Sequence, residues 1–204
     1  MDKTTTLIAK IISFVFNPLI MPSLGLILIL FTGTYLSFIP FEGKQLLLTV
    51  VFAGTFILPL CFVPLFLYFK IIKNIEMESP SQRIIPLVIT TTLYICTYYV
   101  MRKMPVPFIN MFILASSLCV LLNTIILLFW KISSHLIGIG GIVGLMAGLI
   151  FRLDANIPYL FIIIVLIAGL IGASRLKLEA HTPAQVYAGF FLGLFVVGGS
   201  LIFI

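Results

Sequence analysis

Charge is what this sequence has least of. Only 9% of its 204 residues are Asp, Glu, Lys or Arg, against about 25% in soluble globular domains. With 62% apolar residues and a mean hydropathy of +1.29, there is too little polar surface to cover a soluble fold, and disorder and collagen-like repeats are excluded on the same grounds. The six acidic residues form no carboxylate cluster, and no His/Cys spacing suits a metal, so no metal and no cofactor are expected. The three cysteines, Cys61, Cys96 and Cys119, lie inside apolar runs, which excludes a disulfide scaffold and makes them small lipid- or core-facing residues. No internal repeat or low-complexity tract interrupts the chain. No cleavable signal peptide is expected, because the apolar stretch at 7–36 is too long for one and lacks a small-residue cleavage site.

What is present is a series of long uncharged runs, the mark of an integral membrane protein. A span needs roughly 20 residues. Residues 11–41 carry no charge, and as one helix they would reach about 46 Å at 1.5 Å per residue, too long for one upright crossing. Asn17-Pro18 offers a break, because proline disfavours helix at the residue before it. The N-terminal 1–18 therefore reads as an interfacial or re-entrant helix. Spans follow at about 19–37, 45–69, 84–101, 107–129, 135–151, 157–173 and 183–203. The expected architecture is all-α, a bundle of about six to seven transmembrane helices forming a single polytopic domain over 1–204.

Alternation puts the loops at 70–83, 130–135 and 174–182 on one face. That face carries Lys70, Lys73, Arg83, Lys131, Arg175 and Lys177, with Lys3 and Lys10 if the N-terminus lies there, whereas the other carries Lys44, Arg102, Lys103 and Arg152. The net charge of +6 thus sits in short loops, where it sets topology and meets anionic headgroups rather than nucleic acid. Charge alone turns the first face to the cytoplasm. Trp130 and the tyrosines at 94, 98 and 99 read as an interfacial belt and span packing. Glu76, Glu78, Ser79 and Ser81 form a polar connecting loop.

Both histidines of the chain, His135 and His181, fall on that same face, each just before an apolar span. Ser133-Ser134-His135 opens a Gly-rich run, and Thr182-Pro183 is a cap followed by proline at the first helical position. Two imidazoles, two helix N-termini and the cations Arg83, Arg175 and Lys177 suit a phosphate at a membrane surface. Imidazole serves as nucleophile or general acid near neutral pH. A bis-His haem or quinone site is a further reading, but haem-ligating histidines lie mid-span, and these stand at helix ends.

Ser174-Arg175, five residues, then His181 resembles the third signature of the type-2 phosphatidic acid phosphatase superfamily, Ser-Arg-x5-His-x3-Asp. These enzymes are membrane relatives of vanadium haloperoxidases. Ile132-Ser133-Ser134-His135 resembles the second signature, Pro-Ser-Gly-His. The resemblance covers roughly residues 70–204. The first signature, Lys-x6-Arg-Pro, is degraded: Arg83 is the counterpart of its Arg, Pro86 stands three residues on, and Glu76 occupies the Lys position. Lys73, Lys131 or Lys177 is left to fill that role, or none does. Gln185 stands where most members have Asp, which makes His181-Thr182-Pro183-Ala184-Gln185 similar to dolichyl-diphosphatase-like members.

The resemblance implies a metal-independent lipid-phosphate phosphatase acting on a polyprenyl (di)phosphate or a phosphatidate-type lipid. By that likeness His181 is the nucleophile that forms a phospho-histidine, and His135 protonates the leaving oxygen and later activates water. Gln185 holds the His181 ring. Arg83, Arg175, Ser133 and Ser134 bind the phosphate, with Ser174 beside them. The tail is expected to stay in the bilayer, and the Gly run to let helices approach closely. The partner implied is a membrane lipid substrate, with no obligatory protein partner. The expected location is the bacterial cytoplasmic (inner) membrane, with the site on its outer side by the habit of the family. The competing expectation is a non-catalytic member that binds or transports a phosphorylated lipid.

Overall fold

Hydrocarbon offers no partner for a backbone N–H or C=O, so a spanning segment satisfies them internally, as a helix. The computed structural model describes residues 3–74, 77 and 79–203, and within them the architecture is all-α. Among the described residues, seven stretches are long and apolar enough to cross a membrane: Lys3–Phe31, Phe41–Tyr68, Ser81–Met101, Pro107–Leu127, Ser134–Leu153, Pro158–Lys177 and Pro183–Ile202. The chain is a multi-pass membrane protein.

The first stretch is two helices, α1 (Lys3–Val15) and α2 (Met21–Phe31). They separate at Asn17-Pro18, where the Asn17 side chain accepts the Leu19 N–H at 3.0 Å and Pro18 opens a 3-10 turn. Helix α2 stops at Phe31, short of the expected 37. Gly33, between two threonines, takes a φ of +75°, a left-handed conformation that ends a helix, and the chain then makes a 3-10 turn over Tyr35–Phe38.

The second stretch joins α3 (Phe41–Phe52) to α4 (Leu58–Tyr68) through a π-helical turn at Ala53–Ile57. Pro59 has no N–H for the Thr55 carbonyl, so the ladder widens there. Five helices follow: α5 (Pro80–Met101), α6 (Pro107–Leu127), α7 (Ser134–Leu153), α8 (Pro158–Lys177) and α9 (Pro183–Ile202). Four of these open on proline, whose missing N–H costs nothing in a first turn.

Helix α7 is the centre of the bundle and packs most closely on α9. Their glycines make this possible. A Cβ on Gly144 would stand 2.6 Å from the Leu194 carbonyl oxygen and 2.7 Å from the Gly198 nitrogen, and one on Gly193 would strike the Ile137 carbonyl oxygen. Small residues replace hydrophobic drive as the means of helix association in lipid. The seam brings the starts of α7 and α9 together, and the Ser133 N–H donates to the Gln185 carbonyl at 3.2 Å. Both histidine-bearing helix starts are thereby tied to one another.

Candidate functional site

His181 lies in the turn from α8 to α9 and is buried. Helix α8 ends where Glu179 adopts a φ of +52°, and the turn closes with the Ala180 N–H on the Arg175 carbonyl at 3.2 Å. Arg175 and His181 are thus fixed in one tight loop. Thr182 then caps α9. Its hydroxyl accepts the Gln185 N–H, and the Gln185 side-chain oxygen accepts the Thr182 N–H at 3.1 Å, a reciprocal capping box. The same oxygen, Oε1, takes the Nδ1–H of His181 at 3.2 Å. A carbonyl oxygen only accepts, so Nδ1 holds the proton and Nε2 keeps its lone pair.

The His181 imidazole is pushed down to about 4. Burial is the main cause, the Arg175 cation the second; the bond to Gln185 opposes them, and Arg83 and Lys131 add further repulsion. The ring is neutral at physiological pH, with three cations acting on it.

His135 stands in the first turn of α7. Its Nε2 donates at 3.0 Å to the carbonyl of Ser13, in the last turn of α1. The Ser13 hydroxyl accepts from Arg175 Nη1 at 3.2 Å. Arg83, in the first turns of α5, donates from Nε to the Met77 carbonyl at 2.7 Å. Asn123 on α6 donates to the Ser134 hydroxyl at 3.0 Å.

These groups line one cavity of about 1000 Å³. Its polar end holds Lys10, Arg83, Lys131, Arg175, His135 and His181, with Glu179 as its carboxylate. From there it runs inward between apolar side chains of α4, α5, α6 and α7, including Leu60, Val63, Leu87, Val120 and Ile142. Tyr94 and Phe112 stand at its inner reaches: Arg83 to Tyr94 is eleven residues of α5, about 16 Å of helix. The cavity is thus polar and cationic at one end and apolar along the rest of its lining.

The other sequence-predicted residues fall as follows. Ser134 lines the cavity. Ser133 is fully buried beside it and does not, and its N–H is taken by Gln185. Ser174 is buried and donates back to the Leu170 carbonyl at 2.8 Å. Of the three candidate lysines, Lys131 lines the cavity, while Lys73 and Lys177 are exposed outside its lining. Gln185 acts from behind His181. Glu76 and Glu78 lie outside the described residues.

The cavity lining adds Lys10, Ser13, Asn17 and Asn123 to the residues the sequence picks out for the site. A signal for the first three exists: Lys10, Ser13 and Asn17 recur at helical spacing as the polar residues of the otherwise apolar stretch 7–22. Compared with known protein families, curated proteins and solved structures, the chain matches none.

Proposed function

We propose that the protein is an integral membrane lipid-phosphate phosphatase of a bacterial cytoplasmic membrane. Its substrate is a polyprenyl (di)phosphate or a phosphatidate-type lipid, and its intermediate a phospho-histidine. The reading is carried by one observation: His181 is buried, its Nδ1 proton is held by Gln185, and the ring shares its cavity with Arg175, Arg83 and Lys131. A nucleophilic imidazole needs that tautomer, and a phosphoryl group in transfer needs cations around its equatorial oxygens. The resemblance of Ser174-Arg175-x5-His181 to the phosphatase signature points the same way.

In the first step Nε2 of His181 forms a bond to phosphorus, and the bond from phosphorus to the leaving oxygen breaks. For this step His135 has to carry a second proton, which passes to the leaving oxygen and leaves the ring neutral. In the second step neutral His135 takes a proton from water, whose oxygen attacks phosphorus. The P–N bond breaks, and His181 returns to its starting tautomer. Gln185 steadies the ring through both steps but supplies no negative charge to the phosphorylated imidazolium, unlike an aspartate.

A second reading, a binder or transporter of phosphorylated lipid, draws on that missing charge and on the engagement of His135 with Ser13. Phosphate release by detergent-purified protein, without added metal, separates the two. Polyprenyl diphosphate, polyprenyl phosphate and phosphatidate are compared, beside His181→Ala. Release that the substitution abolishes supports the phosphatase; folded protein that binds the lipids tightly and releases nothing favours the binder.

A further inference from the structure

Ser13 takes two of the site's donors. Its carbonyl oxygen accepts from His135 Nε2 at 3.0 Å and its hydroxyl from Arg175 Nη1 at 3.2 Å, and the residue is buried. These are the contacts that two oxygens of a phosphate would make. The likeness extends to charge, because the last carbonyls of a helix form the negative end of its dipole, and here that end of α1 faces a cluster of cations. Helix α1 is also held mainly by one neighbour. Among the described residues it packs on α8 and on no other helix to a comparable extent. Leu7, Ile8, Ile11 and Val15 are exposed on it, and it joins α2 through the break at Asn17-Pro18.

We propose that α1 is a built-in competitor for the anion: in the resting protein Ser13 holds His135 and Arg175, and a phosphate enters by displacing it. The inference rests on the reading above that this site takes a phosphate. It has a distinctive consequence. A site open for only a fraction of the time binds every ligand more weakly by that same fraction. Weakening the plug therefore tightens binding of all anions by one common factor, whereas loss of a direct ligand contact would weaken each by its own amount.

Ser13→Ala removes the hydroxyl arm and leaves the carbonyl, and Ser13→Thr keeps a hydroxyl. Calorimetric titration of the full chain in detergent with inorganic phosphate and inorganic diphosphate is the test. Ser13→Ala is expected to lower both dissociation constants by one shared factor of about ten or more, the size of one hydrogen bond to a charged group, and Ser13→Thr to restore them. Constants that stay put, rise, or move for one anion alone would overturn the proposal while leaving the phosphate site standing. Binding of neither anion to any folded variant would instead remove the phosphate reading itself. An independent readout is the labelling of Ser13→Cys by a polar maleimide, with Cys61, Cys96 and Cys119 replaced by serine. Phosphate should accelerate labelling several-fold if it expels Ser13, and protection by phosphate would contradict displacement.

Discussion

Gln185 accepts two hydrogen bonds at one side-chain oxygen: from Nδ1–H of His181 at 3.2 Å and from the backbone N–H of Thr182 at 3.1 Å. The residue that starts helix α9 is thus also the residue that sets the tautomer of the imidazole beside it. Folding and chemistry share an atom, so the two can be separated by substitutions that keep one and lose the other. Gln185→Ala loses both bonds, and phosphate release should fall about tenfold or more, the size of one lost buried hydrogen bond. Gln185→Glu keeps both acceptors and adds a charge that favours the imidazolium, so it should retain activity while shifting its pH profile upward. Steady-state kinetics of the two variants check this.

The His181 imidazole, lowered to about 4 by burial and by Arg175, must be neutral to attack. Going down in pH, the ring becomes protonated only near that value, so kcat/KM should hold through pH 6 and fall on an acid limb near 4. A limb at the ordinary histidine value of about 6.5 would show the ring in water. The same shift makes the folded state bind fewer protons than the unfolded one, so His181 costs stability progressively as pH falls from 6.5 toward 4.

The lysines divide by location. Lys131 lines the cavity and acts on His181, whereas Lys73 and Lys177 lie outside it. Lys131→Gln should raise KM for phosphorylated substrate and move the acid limb slightly upward, because one repulsive charge on the ring is gone. Lys73→Gln and Lys177→Gln should leave both unchanged. A pH profile of kcat/KM for the three variants measures this.

The α7–α9 seam predicts a contrast between two glycines. A methyl on Gly144 meets backbone atoms of Leu194 and Gly198, whereas one on Gly169 meets nothing within 4 Å. Gly144→Ala should destabilise the protein by about 1–3 kcal/mol and disturb both histidines, whose helix starts the seam aligns. Gly169→Ala should be neutral or slightly stabilising. Thermal melts in detergent, read beside activity, distinguish them.

The helices were readable in advance because sparse charge outlines apolar runs, and caps such as Thr182-Pro183 mark where they begin. The pairing of His181 with Gln185 was readable because both lie within one helical turn. Contributions from afar were not. Lys10 and Ser13 reach the cavity only because α1 folds against α8, a contact between residues more than 140 apart in the chain. Nor does the sequence tell which of two adjacent serines turns inward: Ser133 is the extended residue before α7 and Ser134 the first helical one, and the bond of the Ser133 N–H to Gln185 across the α7–α9 seam fixes their directions. Ser174 sits in the likeness to the phosphatase signature, yet its hydroxyl bonds within its own helix, a habit of serine in apolar helices that spacing does not reveal.

Whether phosphorus bonds to His181 is decided by rapid quenching of the protein with a polyprenyl diphosphate carrying a ³²P label on its terminal phosphate. We expect an acid-labile, base-stable label that forms before phosphate is released, maps to the peptide containing His181, and vanishes in His181→Ala. Steady phosphate release with no covalent label, or a label on His135 instead, would contradict the assignment of His181 as nucleophile.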